Sequence, residues 1–308
     1  MQRTAGIHHV TAMASDPQRN RDFYEGVLGL RMVKRTVNFD DPGTYHLYYG
    51  DGVGSPGTIL TFFPMPGIRE AVRGAGITES VELAVPVGAL GAWEGRLAEA
   101  GVAAAPDPGH GGLAFADPDG MRLALTERDG LPEPVAWDGP VPADIAIRGV
   151  DGVTLRVRDA AVTTGYMATA LGLEEAPHGL RALGAPGATV RVVEDRDAPR
   201  ARMGAGAIHH IAFRVPDGPR QAAWRAELAA AGANVSPVMD RDYFTSIYFT
   251  EPGGVILEIA TDTPGFTRDE DQDALGQSLR LPAWVEQHRG RIEEVLAPLG
   301  PAAPVGAR

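Results

Sequence analysis

Gly6-Ile7-His8-His9-Val10-Thr11 stands near the start of the chain, and Ala207-Ile208-His209-His210-Ile211 repeats its pattern in the second half. Each stretch carries a pair of histidines within a run of apolar residues, which predicts a partly buried strand. A third stretch, Gly254-Val255-Ile256-Leu257-Glu258-Ile259, places one carboxylate in an otherwise apolar predicted strand. These stretches decide the fold, because they mark equivalent points of an internal repeat.

The repeated unit has the order βαβββ. In its first copy, a strand over residues 7–13 precedes a helix that ends at Gly29, and three strand-like runs follow with Gly and Pro turns between them. The pattern returns in three further copies, whose first strands are residues 80–85, 153–157 and 208–215. We call the four copies modules 1 to 4. Their strand and helix patterns predict an α+β fold.

The modules predict two domains and a tail. Residues 128–144 are rich in Pro and Gly and lack periodicity, so they are expected to link modules 1 and 2 to modules 3 and 4. We therefore expect one domain at residues 1–127 and a second at residues 145–261. The tail, residues 262–308, contains a predicted amphipathic helix over residues 282–296.

Composition excludes several classes of protein. The chain has 308 residues, a net charge of −12 and no basic run, which argues against a nucleic-acid partner. No apolar run reaches the length of about 18 residues that spans a membrane, and no signal-peptide pattern is present, so we expect a cytoplasmic protein. The chain has no cysteine, which excludes disulfides, thiolate metal sites and cysteine nucleophiles.

Two positions of each module are candidates for metal ligands. The first lies in the first strand and the second in the last strand. From module 1 to module 4, the first position holds His9, Ser80, Gly152 and His210, and the second holds Thr61, Ala124, Arg191 and Glu258. Only modules 1 and 4 supply ligands, so we predict that they face each other although they lie at opposite ends of the chain.

Two imidazoles and a carboxylate, without a thiolate, suit Fe(II), Mn(II) or Zn(II). Threonine at the fourth position, Thr61, is too weak a donor to close such a site. Open positions then remain for a substrate oxygen and O2, as in non-haem Fe(II) oxygenases. Strand alternation sends the two histidines of each pair to opposite faces unless a bulge intervenes, so one ligand per pair is expected. Thr11, two residues after His9, shares its face.

Other residues have plainer interpretations. A lone histidine such as His46 is expected to be structural, and aromatic residues in strands usually pack in the core. We assign to the core Tyr48, Tyr49, Phe62 and Phe63. The run Asp269-Glu270-Asp271 is expected to be a solvated turn. Tyr248 lies on the strand beside Glu258, and two roles stay open for it: a hydrogen bond in the core, or a hydroxyl that orients substrate or shuttles a proton.

Several motifs resemble those of a known family. They are Gly6-Ile7-His8-His9-Val10-Thr11, Lys34-Arg35-Thr36-Val37-Asn38, Tyr45-His46-Leu47-Tyr48-Tyr49, Gly54-Ser55-Pro56-Gly57-Thr58, Ile208-His209-His210, Asp240-Arg241 with Tyr243-Phe244 and Tyr248, and Gly265-Phe266 followed by Asp269-Glu270-Asp271. With the module order, they resemble the vicinal oxygen chelate superfamily of glyoxalases and extradiol dioxygenases, and most closely its ring-cleaving dioxygenases that act on hydroquinones.

The resemblance implies two glyoxalase-like domains and a non-haem Fe(II) extradiol-type dioxygenase, with Mn(II) as the alternative metal. It implies that His9, His210 and Glu258 bind the metal. It also implies supporting catalytic roles beside the metal for His8, Thr11, His209, Arg241 and Tyr248. The implied substrates are a small aromatic diol of the hydroquinone type and O2.

Two other functions stay open. A glyoxalase-like isomerase or thiol transferase needs no O2, and glyoxalases prefer the fourth ligand that Thr61 does not supply. A non-catalytic binder of a small aromatic compound is the other alternative, and a missing ligand would favour it. A homodimer or higher homo-oligomer is expected on general grounds.

Overall fold

The computed structural model describes residues 2–306 except residues 108, 110, 178 and 183–187. The strands of module 1 are β1 Ile7–Ala14, β2 Arg31–Asn38, β3 Asp41–Gly50 and β4 Ile59–Pro64. Those of module 2 are β5 Ile77–Val85, β6 Ala104–Asp107, β7 Gly112–Ala116 and β8 Arg122–Glu127. Module 3 has β9 Gly149–Val157, β10 Glu174–Ala176, β11 Gly179–Arg181 and β12 Thr189–Glu194. Module 4 has β13 Ile208–Val215, β14 Met239–Asp240, β15 Thr245–Thr250 and β16 Ile256–Thr261.

Each module carries one helix after its first strand. These helices are α1 Pro17–Arg21, which continues as a π-helical segment Asp22–Val27, then α2 Leu90–Glu99, α3 Ala160–Leu171 and α4 Gly218–Ala230. Side chains of Asp16, Asp159 and Asp217 accept backbone N–H bonds at the starts of α1, α3 and α4. Helices α2 and α4 bury Trp93 and Trp224, so an apolar helix face closes the core.

Strand pairing joins modules from opposite halves of the chain. The first strand of module 1, β1, lies antiparallel to β13 of module 4, and β5 of module 2 lies antiparallel to β9 of module 3. The predicted meeting of modules 1 and 4 is therefore confirmed, as is the α+β fold of four βαβββ modules. The domain limits near residues 127 and 145 stay a prediction, because each paired unit is built from both halves of the chain.

The register of the strands agrees with the two ligand positions. In every module the first strand runs parallel to the last, which pairs Thr11 with Thr61 and Ala212 with Glu258. The equivalent pairs in the other modules are Glu82 with Ala124 and Thr154 with Arg191. In all four modules, the residue that pairs with the second ligand position lies two residues after the first ligand position: Ala212, the partner of Glu258, comes two residues after His210. Both positions therefore bear on the same face of the sheet.

The link and the tail both pack on module 1. Residues 128–144 form no helix or strand. The carbonyl of Val135 accepts a hydrogen bond from the backbone N–H of Gly52, and its own N–H donates to the side chain of Asp51. The tail was expected to hold a helix over residues 282–296; the α-helix is present but shorter, since α5 spans Arg289–Val295. A turn that ends at Val285 and a 3-10 helix, Glu286–His288, come before it. The helix stops where Pro298 approaches, since residues before a proline avoid the helical conformation.

A buried ion pair fixes the tail. The ammonium of Lys34, in β2, is fully buried and bonds both Asp269, at 2.7 Å, and Glu270. The expected solvated turn at Asp269-Glu270-Asp271 is therefore wrong, because two of its carboxylates neutralise a lysine that the apolar strand buries. In the part of the chain that the structure describes, no helix has the length and apolar character needed to cross a membrane.

Candidate metal centre and cavity

His9, His210 and Glu258 meet at one buried point between modules 1 and 4. Glu258 Oε2 lies 2.9 Å from His210 Nε2 and 3.4 Å from His9 Nε2. Within the described residues, they are the group of three whose donor atoms lie close enough to share an ion, all within 4.8 Å. Their separations suit atoms that each lie about 2.1 Å from a shared cation, so the donor set fits a metal with three protein ligands.

The histidine before each candidate ligand sits in a β-bulge. Between β1 and β13, His8 is the extra residue on one strand and His209 the extra residue on the other. Each bulge lets adjacent imidazoles touch: the Nδ1 atoms of His8 and His9 are 2.9 Å apart, and those of His209 and His210 are 2.7 Å apart. The Nδ1 of each candidate ligand is thereby occupied, which leaves its Nε2 to face Glu258.

Burial and neighbouring charges set the protonation of this centre. Burial lowers the pKa of His8 and of His210, and it lowers that of His209 to about 4. Burial alone would raise the pKa of Glu258, but the two facing imidazoles hold it well below its usual range. Neutral imidazoles beside an ionised carboxylate are the forms that bind a metal.

Ser246 orients the carboxylate of Glu258. Its hydroxyl lies on β15, beside the strand that carries Glu258, and donates to Oε1 at 2.5 Å. This bond occupies Oε1 and leaves Oε2 to face the two histidines. Sequence reasoning missed Ser246, although its position two residues before Tyr248 on a predicted strand placed both side chains on the face of Glu258.

A cavity of about 500 Å³ opens beside the centre. Its lining is mostly apolar and includes Phe63, Phe244 and Ile256, which suits a single aromatic ring. Of the residues that the family resemblance places beside the metal, His209, Arg241 and Tyr248 line this cavity, whereas Thr11 and His8 are buried and are not in its lining.

Arg241 and Tyr248 form one unit of the cavity wall. The guanidinium of Arg241 donates to the Tyr248 hydroxyl at 3.2 Å and to Asp40 at 3.2 Å. Burial, with the charge of Glu258, raises the pKa of Tyr248, so this hydroxyl stays protonated at neutral pH. Tyr248 lines the cavity, and the two roles left open for it stay predictions.

The module 1 wall of the cavity contains residues that the sequence assigned to the core. His46 and Tyr48 line it, and His46 Nε2 lies 2.8 Å from the hydroxyl of Thr61. That hydroxyl is also 2.9 Å from Thr11. The structural interpretation of His46 and the core assignment of Phe63 are therefore incomplete, because both face the cavity. Tyr48, Tyr49 and Phe62 are buried as expected, although Tyr48 also borders the cavity.

Modules 2 and 3 close the equivalent position with an ion pair. Arg191, at the second ligand position of module 3, lies 3.1 Å from the fully buried Glu82. Glu82 also accepts bonds from Ser80 at 3.0 Å and Thr154 at 2.9 Å. Modules 2 and 3, whose sequences supply no metal ligands, therefore place the ion pair of Arg191 and Glu82 at the equivalent point.

Comparison with known proteins agrees with this architecture. The family model described as "Glyoxalase/Bleomycin resistance protein/Dioxygenase superfamily" matches residues 6–125 and 149–259. The chain is 44% identical over 310 residues to "Putative ring-cleaving dioxygenase MhqO" of Bacillus subtilis (strain 168), covering 96% of this chain and 97% of that protein. It is 34% identical over 306 residues to "Chlorohydroquinone/hydroquinone 1,2-dioxygenase" of Sphingobium indicum, covering 92% and 94% of the two chains. A crystal structure of a "putative dioxygenase" from Bacillus subtilis superposes with a TM-score of 0.92 at 43% identity, covering 97% of this chain and 99% of the other.

Proposed function

Because this chain belongs to the glyoxalase/bleomycin resistance protein/dioxygenase superfamily, we propose that it is a ring-cleaving dioxygenase of hydroquinone-type para-diols. The observation that carries the proposal is the three-donor centre of His9, His210 and Glu258, whose two histidines line a mostly apolar cavity. The names of the relatives, which include a hydroquinone 1,2-dioxygenase, support the same reaction and substrate class.

Fe(II) is the proposed metal, held by His9, His210 and Glu258. Two neutral imidazoles and a carboxylate form the three-ligand set of non-haem Fe(II) oxygenases. A bound Fe(II) ion would supply open coordination positions and one-electron chemistry with O2. Mn(II), which accepts the same donors, is the alternative.

The residues around the cavity bind and orient the diol. A para-diol presents one oxygen to the centre, because its two hydroxyls lie at opposite ends of the ring. Tyr248 donates a hydrogen bond to an anionic substrate oxygen, and Arg241 stabilises the same negative charge. His209 is uncharged at neutral pH. Its Nδ1 accepts from His210, so its Nε2–H is the group that donates a hydrogen bond to the substrate, while the apolar walls exclude water. Cleavage beside the bound hydroxyl is the expected outcome.

The state of Thr61 disfavours a glyoxalase-like isomerase. This residue holds the fourth ligand position, but its hydroxyl is engaged with His46 and Thr11. The centre therefore keeps three protein ligands, and the positions that a fourth ligand would take stay available to diol and O2.

The test is O2 consumption by Fe(II)-reconstituted protein offered hydroquinone, methylhydroquinone and catechol in turn. We expect uptake with the para-diols and a ring-opened product. The variant His210→Ala should lose both metal binding and uptake, whereas His288→Ala, a change at an exposed histidine of the tail, should keep both. Full activity in His210→Ala would refute the assigned ligand, and no uptake with any diol would refute the dioxygenase.

A further inference from the structure

Modules 1 and 4 contribute matching sets of side chains to the cavity. Strand pairing places Tyr48 opposite Thr61 in module 1 and Tyr248 opposite Glu258 in module 4. Two residues earlier on the same strands, His46 bonds Thr61 just as Ser246 bonds Glu258. Tyr48 is therefore the counterpart of Tyr248, and the two tyrosines reach the cavity from its two module walls.

His46 fixes the orientation of the Tyr48 hydroxyl. The hydroxyl lies 2.8 Å from His46 Nδ1, and the imidazole is anchored through Nε2 to Thr61. The imidazole also packs against the rings of Tyr48 and Phe63, with centroid distances of 4.0 and 4.3 Å. A phenol hydroxyl both donates and accepts, so one of these capacities remains after the bond to His46.

Several other polar atoms of the cavity already have hydrogen-bond partners. Asn38 accepts a bond from the backbone of Asp40, and the Ser236 hydroxyl donates to Pro237. Arg241 is shared between Asp40 and Tyr248. When the first hydroxyl of a para-diol lies at the metal centre, the second hydroxyl loses its hydrogen bonds to water. It then requires a hydrogen-bond partner among the residues of the cavity wall.

We infer that Tyr48, oriented by His46, binds the second hydroxyl of the para-diol and so selects substrates with hydroxyls at opposite ends of the ring. This inference rests on the proposed function. Tyr48 contacts the substrate, whereas His46 acts as a positioning residue through Tyr48. Tyr248 then contacts the substrate oxygen at the metal centre, and Tyr48 contacts the oxygen at the opposite end of the ring.

The test compares the binding of hydroquinone and phenol to Fe(II)-loaded protein without O2, by calorimetry. Phenol lacks the second hydroxyl. Tyr48→Phe should weaken hydroquinone binding about fivefold, the worth of one net hydrogen bond, and leave phenol binding unchanged. Tyr49→Phe is the matched control, because it removes a hydroxyl from the next residue, which is buried away from the cavity; it should change neither affinity.

His46→Phe keeps a flat ring between Tyr48 and Phe63 but removes both nitrogens. It should lower the preference for hydroquinone over phenol as Tyr48→Phe does, and the double variant should add nothing further, since both changes remove one contact. Equal losses for hydroquinone and phenol in Tyr48→Phe, or no loss for either, would overturn the inference. Oxygen uptake is followed separately: its absence with every diol refutes the proposed function, whereas selective loss of hydroquinone binding still supports the second-hydroxyl contact.

Discussion

Removal of the Ser246 hydroxyl should weaken metal binding without unfolding the protein. The hydroxyl donates to Glu258 Oε1 at 2.5 Å, within the range of charge-assisted O–H···O bonds. Both residues are fully buried, so water does not replace the bond readily. In Ser246→Ala, the carboxylate loses the contact that turns Oε2 toward His9 and His210.

The size of the expected loss in metal affinity follows from the type of hydrogen bond that is removed. A hydrogen bond to a charged group contributes about 1.5 to 3 kcal/mol, and each 1.4 kcal/mol corresponds to a factor of ten. Loss of a partner that orients a metal ligand typically costs about 10- to 100-fold in affinity. We therefore expect the Fe(II) affinity of Ser246→Ala to fall by about 10- to 100-fold, measured by anaerobic competition with a chromophoric chelator.

The matched control is Ser80→Ala. Ser80 donates to the buried carboxylate of Glu82 at 3.0 Å, in the module pair that has no ligands. This change removes a similar bond but should leave Fe(II) affinity unchanged. Unaltered affinity in Ser246→Ala, or equal losses in both variants, would refute the reasoning that Ser246 acts by orienting a metal ligand.

Two further predictions follow from buried charges. Arg191→Met removes one guanidinium from the buried Glu82 carboxylate, and breaking a buried ion pair costs about 3 to 5 kcal/mol, so the free energy of unfolding should fall in urea titrations. The double variant Glu82→Leu/Arg191→Met should recover most of the loss, and no recovery would contradict the ion-pair interpretation. In the metal-free folded protein the pKa of His209 is about 4, compared with 6.5 in the unfolded chain. Between pH 6.5 and 4 the unfolded chain therefore binds a proton that the folded protein does not. The free energy of unfolding should fall as the pH drops through this range. His209→Asn should reduce this fall in the urea midpoint, and an identical pH dependence would contradict it.

The repeat made much of this structure predictable from the sequence. Histidine pairs at equivalent points and a carboxylate in phase with one of them identified the three residues that the structure brings together. The meeting of modules 1 and 4 followed, because neither module alone holds the full donor set. The strand register of all four modules then agrees with the two ligand positions assigned to each module.

Interactions between distant segments were not predictable in the same way. Lys34 and Asp269 are far apart in the chain, and nothing local indicates that the strand around Lys34 buries its ammonium against the tail. The cavity roles of His46 and Tyr48 were missed for a related reason. In sequence, an aromatic residue that lines a cavity has the same strand pattern as one that packs in the core. The two differ only in the structure, where a partner module forms the other wall of the cavity.

The β-bulge explains how adjacent histidines serve one centre. A regular strand sends neighbouring side chains to opposite faces, which would separate His8 from His9. The same bulges recur between β5 and β9, where the extra residues are Glu79 and Asp151. There they bind arginines: Glu79 lies 2.7 Å from Arg156, and Asp151 lies 2.6 Å from Arg128.

The bulge is therefore a property of the paired modules and not a product of the metal centre. Both module pairs use it to hold a polar residue next to the first ligand position. In modules 1 and 4, that residue is a histidine that occupies the Nδ1 of a ligand histidine. In modules 2 and 3, it is a carboxylate that binds an arginine, and the centre itself is closed by Glu82 and Arg191. One backbone thus supports either a candidate metal centre or a buried ion pair, and the residues at the ligand positions decide between them.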